Sequence, residues 1–84
     1  MTPISEARYI KDFVLWIRFS DGVEGQIDLG PHLSGEIFKP LKKSEYFKKF
    51  KLDDDALTLT WPNGADFAPE FLYDLVQGKA KRVA

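Results

Sequence analysis

Two turns that each begin with an aromatic residue constrain the fold of this 84-residue chain most strongly. Residues 19–22 (FSDG) and 61–64 (WPNG) share the pattern aromatic-x-[Asp/Asn]-Gly. Each follows a run in which every second residue is apolar, which is typical of a β-hairpin strand. The final glycine of each turn can adopt the left-handed conformation that a three-residue hairpin loop requires. The sequence therefore predicts two hairpins.

The register of the first hairpin follows from matching apolar residues across it. The strand FVLWIRF occupies residues 13–19. A three-residue loop that ends at Gly22 places Phe19 opposite Val23, whereas a two-residue loop places Phe19 opposite Glu24. Because a slip of one residue exchanges the faces of a whole strand, the apolar matching favours the longer loop.

The same comparison applies to the second turn. A three-residue loop sets Trp61 opposite Ala65, whereas a two-residue loop sets Trp61 opposite Asp66. The longer loop suits a type I turn followed by a left-handed residue, formed by the structural turn residues Pro62, Asn63 and Gly64. Asp66 is expected to cap the next helix or bond a turn amide, and a carboxylate that faces a partner is the alternative.

The remaining elements indicate a single α+β domain over residues 1–84, with a small antiparallel sheet of hairpins packed against short helices and one C-terminal helix. We expect a strand over 4–10, with residues 11–12 forming the turn that follows. Ser44 is expected to cap a short helix over 45–50, and another strand begins at Leu57. The last helix should begin at Pro69 and end at Gly78, with Lys79, Lys81 and Arg82 beyond it.

Composition excludes several classes of protein. The chain has no cysteine, which excludes disulfides, thiolate zinc sites and a cysteine nucleophile. The N-terminus lacks a signal-peptide pattern, and no apolar stretch approaches the roughly 18–20 residues that cross a bilayer. We therefore expect a soluble cytoplasmic protein with no membrane association.

Candidate catalytic residues are few. His32 is the only histidine, and no nucleophile or orienting acid has a spacing that suggests a triad. Asp53-Asp54-Asp55 lacks the alternation of a calcium loop. We expect no enzymatic activity, no metal and no cofactor. A small hydrolase or ligand-binding protein that uses His32 and Asp66 remains an alternative.

Phe13, Leu15, Ile17 and Phe19 share one face of the second strand. The opposite face is the main candidate for binding a protein partner. It carries Trp16 and Arg18, with Tyr9 expected nearby. Trp, Tyr and Arg are enriched at binding hot spots. The alternative is a curled sheet that makes Trp16 part of the core. The sequence also leaves open a homo-oligomer.

A lysine-rich segment offers a different hypothesis. Residues 39–51 contain six lysines and one glutamate, while residues 52–78 contain six acidic residues and no basic ones. Lysines interleaved with aromatic residues could bind a phosphate backbone, although a short amphipathic helix explains the same spacing. The nucleic-acid alternative rests on Lys42, Lys43, Lys48, Lys49 and Lys51.

The segments GEIFKPLKKSEYFKKFKLD and LTWPNGADFAPEFLYD, together with a strand ending in F-x-DG, resemble the bacterial family catalogued as domain of unknown function 2442. The resemblance spans roughly residues 4–75 and implies a small α+β bacterial protein. Stand-alone members are often encoded beside another small protein, which implies the antitoxin-like role in a two-gene pair. The leading expectation is a non-enzymatic protein-interaction module with a small protein partner.

Overall fold

Antiparallel strands and short helices make up the structure, a computed structural model that describes residues 2–78. The strands are β1 (Ile4–Lys11), β2 (Val14–Phe19), β3 (Glu24–Asp28), β4 (Lys51–Asp53) and β5 (Thr58–Thr60). The helices are α1 (Ser44–Phe47), α2 (Pro69–Val76) and two 3₁₀ helices, Gly30–His32 and Glu36–Lys42. One sheet has the order β1-β2-β3, and the other pairs β4 with β5. The predicted α+β class is confirmed.

The β2–β3 hairpin has the predicted three-residue loop. The Phe19 amide donates to the Val23 carbonyl at 2.8 Å, and Leu15 lies opposite Ile27. Gly22 has a φ of +93°, the left-handed conformation expected at the end of this loop.

The WPNG turn has the same geometry. The Trp61 amide donates to the Ala65 carbonyl at 2.9 Å, and Thr60 pairs with Asp66. Gly64 has a φ of +92°. Trp61 therefore lies opposite Ala65, as the apolar matching predicts.

The β4–β5 connection differs from the prediction. Leu57 lies in the turn rather than in a strand, with a φ of +61°, and β5 begins one residue later. The Leu57 amide donates to the Asp53 carbonyl at 2.7 Å, and its carbonyl accepts a 3.5 Å bond from the Ile4 amide. These two backbone bonds hold Leu57 in a conformation that a bulky residue rarely adopts.

Two other boundaries were predicted wrongly. Lys43, not Ser44, is the N-cap of α1, and no side chain caps this helix. The Lys43 amide donates to the Pro40 carbonyl, so Lys43 ends the preceding 3₁₀ helix and begins α1, which stops at Phe47. The first turn is also displaced by one residue, since Lys11 pairs with Val14 and Asp12 has a φ of +44°.

The C-terminal helix begins at Pro69, as predicted. Ala68 precedes it in an extended conformation, which agrees with the restriction that proline places on the residue before it. Gly78 follows the helix with a φ of +74°. The predicted basic residues Lys79, Lys81 and Arg82 lie outside the described residues.

One apolar core joins the two sheets and α2. The side chains of Leu15, Ile17 and Phe19 form the inner face of the three-stranded sheet, and Leu72 of α2 belongs to the same cluster. None of the helices within residues 2–78 has the length and apolar character needed to cross a bilayer.

Trp61 links the second hairpin to α1. Its indole N–H donates to the Phe47 carbonyl at 2.8 Å, and the two ring centres are 5.7 Å apart. Both residues are buried. A buried tryptophan normally finds such an acceptor for its N–H.

We expect Trp61→Phe to lower the free energy of unfolding by about 2–4 kcal/mol, because it leaves the Phe47 carbonyl without its donor and leaves a cavity. Urea unfolding measures this loss. The matched control is Trp16→Phe at a half-buried surface position, for which we expect a change within about 1 kcal/mol. Equal losses in the two variants would contradict the proposed role of Trp61.

Candidate protein-interaction face

The three-stranded sheet has one packed and one open face. On the packed inner face, a Cβ atom at Gly25 would lie 3.2 Å from Cγ1 of Val76, so glycine allows α2 to approach the sheet closely. The opposite face, which we call the Trp16 face, has no fully buried side chain. It consists of Glu6, Arg8, Val14, Trp16, Arg18, Glu24, Gln26 and Asp28.

Trp16 occupies the centre of this face between two guanidinium groups. The Cζ atom of Arg8 lies 5.6 Å from the ring centre, and that of Arg18 lies 5.2 Å away. These distances are within the range of cation–π attraction. The indole N–H donates to Oε1 of Glu24 at 3.1 Å on the neighbouring strand.

Glu6 holds both arginines beside the indole. Its Oε2 atom accepts bonds from Nε and Nη2 of Arg8 at 3.0 and 2.7 Å, and its Oε1 atom lies 3.6 Å from Nη1 of Arg18. These exposed ion pairs contribute little to stability. They do restrict the orientation of the guanidinium groups next to Trp16.

Tyr9 does not belong to the Trp16 face, so its predicted position is wrong. Arg8 lies opposite Trp16, and Tyr9 lies opposite Leu15 on the inner face. Successive side chains of a strand point to opposite faces, so Tyr9 cannot share the face of Arg8. Its ring packs edge-on against Phe47, with centres 6.3 Å apart.

The lysine-rich segment has its aromatic residues turned inward. Phe47 is buried, and all the lysines of the nucleic-acid hypothesis are exposed. The Nζ atom of Lys48 lies 5.4 Å from the centre of the Tyr9 ring, and that of Lys49 lies 5.9 Å from the centre of the Tyr46 ring. A cleft of about 600 Å³ beside this segment is lined by Lys49, Lys51, Leu52, Asp53, Asp54, Asp55, Thr60, Trp61 and Pro62, so both signs of charge line it.

The two residues of the hydrolase hypothesis contact different neighbours. His32 packs edge-on against Phe71, with ring centres 5.1 Å apart. Asp66 is exposed and pairs through its backbone with Thr60, and within residues 2–78 its carboxylate caps no helix. No group of three or more histidine or acidic side chains in the described part of the chain could hold a metal ion.

Two long-range hydrogen bonds were missed by sequence reasoning. Asn63 donates through Nδ2 to the Ile37 carbonyl at 2.8 Å, while its Oδ1 accepts from the Ala65 amide at 3.1 Å. The Tyr73 hydroxyl donates to Oδ2 of Asp21 at 2.6 Å. An asparagine side chain can accept within a turn through Oδ1 and donate outside it through Nδ2, but nothing in the sequence identifies the Ile37 carbonyl as the acceptor.

The bond between Tyr73 and Asp21 changes the acidity of both groups. The hydroxyl, with a smaller effect from the Val23 amide, lowers the pKa of Asp21 below its ordinary value of 3.8. The same bond raises the pKa of Tyr73 above 10.0. This contact fastens α2 to the turn of the β2–β3 hairpin.

Comparison with known proteins identifies the family. A family model described as protein of unknown function (DUF2442) matches residues 4–78. The chain belongs to this family. The match includes both hairpins, the Trp16 face and α2. No curated protein and no solved structure matches the chain.

We expect Tyr73→Phe to destabilise the protein at neutral pH and to have a smaller effect in acid, as the pH falls below the ordinary Asp pKa of 3.8. The folded-state pKa of Asp21 is lowered, so its contribution is present above the unfolded-state pKa and is lost as the pH falls through the folded-state value. Urea unfolding at several pH values, with an NMR titration of the Asp21 carboxylate, measures both effects.

Tyr46→Phe is the matched control, because it removes a tyrosine hydroxyl that bonds no side chain within residues 2–78. Its effect should not depend on pH in this range. An unchanged titration of Asp21 in Tyr73→Phe would show that the hydroxyl does not stabilise the carboxylate.

Proposed function

We propose that this protein is a non-enzymatic interaction module that binds a protein partner through the Trp16 face. The observation that supports the proposal is a half-buried tryptophan held between Arg8 and Arg18 on an open sheet face. Trp and Arg are the residue types that contribute most to binding energy at protein interfaces. The antiparallel pairing of β1, β2 and β3 supports them.

The contacts around Trp16 reduce the free-energy cost of ordering side chains when a partner binds. Ordering a long side chain at an interface costs roughly 0.5–1.5 kcal/mol. Glu6 already restricts both guanidinium groups, and Glu24 fixes the orientation of the indole. The face therefore keeps much of its geometry before a partner arrives.

The chemistry of the face defines the partner that fits it. The exposed part of the indole suits an apolar or aromatic side chain. The charged residues of the whole face sum to −1, because Glu24 and Asp28 on β3 add to Glu6. The guanidinium groups of Arg8 and Arg18 beside the indole favour a carboxylate next to that apolar group. In the antitoxin-like form of this proposal, the partner is the small protein encoded beside this one.

We expect Trp16→Ala to weaken binding of the co-expressed neighbouring gene product by about 30-fold or more, the effect of losing a hot-spot residue. Isothermal titration calorimetry with the purified pair measures the affinity. The control is Ile37→Ala, which shortens an apolar side chain that is 47% exposed on another part of the surface and should change affinity by less than about twofold. Binding that is equally strong in Trp16→Ala would exclude the Trp16 face.

Nucleic-acid binding is a second candidate function. The observation that favours it is that Lys42, Lys43, Lys48, Lys49 and Lys51 are all exposed and form no ion pair within residues 2–78. Against it, acidic residues share a cleft with Lys49 and Lys51.

If the lysines bind phosphates, the affinity for single-stranded DNA should fall by roughly 3.5 powers of ten for a tenfold rise in salt, as about five contacts would give. Fluorescence anisotropy with labelled oligothymidylate measures the slope. Lys48→Gln should reduce the slope by about 0.7, and Trp16→Ala should leave it unchanged. No binding at low salt would exclude this function.

A further inference from the structure

The outer edge of β3 presents unpaired backbone groups. The Phe19 amide donates to the Val23 carbonyl, and the Leu29 amide donates to the Phe13 carbonyl. The backbone groups of Val23 and Leu29 therefore point toward the opposite strand of the hairpin. In an antiparallel strand the direction of the backbone groups alternates with a period of two. The N–H and C=O groups that point away from β2 therefore belong to Glu24, Gln26 and Asp28.

Nothing in the described part of the chain pairs with this edge. Within residues 2–78, the outward amides and carbonyls of β3 form no hydrogen bond, and their side chains are exposed. Helix α2 packs over the inner face at Gly25 rather than along the edge. The other side of the sheet differs, because β1 contacts β4 and the Ile4 amide bonds the Leu57 carbonyl.

An exposed edge of this kind is a template for an added strand. A second copy of the chain is a poor occupant. Antiparallel pairing of two β3 strands about Gln26 would place Glu24 of each copy opposite Asp28 of the other, and like charges directly opposite each other are destabilising. A basic strand would instead place its cations beside these two carboxylates.

We infer that the β3 edge binds an extended basic segment of a partner protein by β-strand addition. Alternate side chains of the segment are lysine or arginine and lie beside Glu24 and Asp28. The intervening side chains are small, because they lie on the side of the sheet where Val76 approaches Gly25. The inference rests on the proposed protein-binding function but uses the backbone edge of β3 and the two carboxylates at that border of the Trp16 face rather than the indole of Trp16.

Amide hydrogen exchange with a defined probe tests this inference. The probe is an octapeptide of alternating lysine and threonine, and the comparison peptide alternates glutamate and threonine. At saturating lysine peptide, we expect exchange of the Glu24, Gln26 and Asp28 amides to slow by about tenfold or more. The amides of Gly25 and Ile27 already bond β2 and should change little. Equal protection by the glutamate peptide, or no protection, would overturn the inference.

Substitutions at Gln26 separate backbone pairing from charge. Gln26→Pro removes an amide that points outward, which proline tolerates on an edge strand, and should weaken binding by about tenfold or more. Gln26→Ala keeps the amide and should bind within about twofold. Gln26→Lys adds a repelling charge and should weaken binding of the lysine peptide even if the proline variant does not fold. Unchanged affinity in Gln26→Lys and in a folded Gln26→Pro would overturn the inference.

Further measurements distinguish other occupants of the edge. Protection that grows with protein concentration and needs no peptide would assign the edge to a second copy. Protection that needs no peptide and disappears when Lys79, Lys81 and Arg82 are replaced by glutamine would assign it to the chain's own C-terminus. Either result would overturn the inference. Trp16→Ala should still bind the lysine peptide. Partner binding that survives Trp16→Ala would therefore contradict the proposed role of the Trp16 face, whereas absence of peptide binding would contradict only the inference about the β3 edge.

Discussion

The hydrogen bond from the Trp61 indole to the Phe47 carbonyl is the contact on which the arrangement of the second half of the chain depends. It joins the first residue of the WPNG turn to α1 inside the core, at 2.8 Å. Asn63 adds a second connection by donating to the Ile37 carbonyl. Together they hold both helical segments of residues 36–47 against one hairpin. The polar atoms of the most distinctive motif therefore serve the fold, and the candidate site lies elsewhere.

The Trp16 face exists because alternate side chains of the three-stranded sheet point to opposite sides. Leu15, Ile17 and Phe19 enter the core, so the residues between them must point outward. Trp16 thus lies on the open face, where neighbouring strands supply Arg8 and Glu24. The cation–aromatic arrangement results from strand pairing, because Arg8 lies directly opposite Trp16. The same pairing leaves one edge of β3 available for an added strand.

Much of the fold could be predicted because hairpin register is a local property. Apolar matching identified both three-residue loops and the inward stripe of β2. Less of the site could be predicted. The sequence places Trp16 and Arg18 on the correct face. It wrongly places Tyr9 there and misses Arg8, because the register of β1 depends on a two-residue turn for which the sequence has only a weak signal. The cap at Lys43 was missed because two helices meet there. The position of Leu57 was missed because one of the two backbone bonds that hold it in the turn comes from the distant Ile4.

The residues alone determine where the chain turns and which side chains face inward, because alternation and the left-handed glycines act within a few positions. Tertiary structure alone decides which distant groups meet. The bonds from Tyr73 to Asp21, from Asn63 to Ile37 and from Trp61 to Phe47 join residues 52, 26 and 14 positions apart. No local pattern encodes such pairs, since each forms only after the apolar core has brought its two segments together.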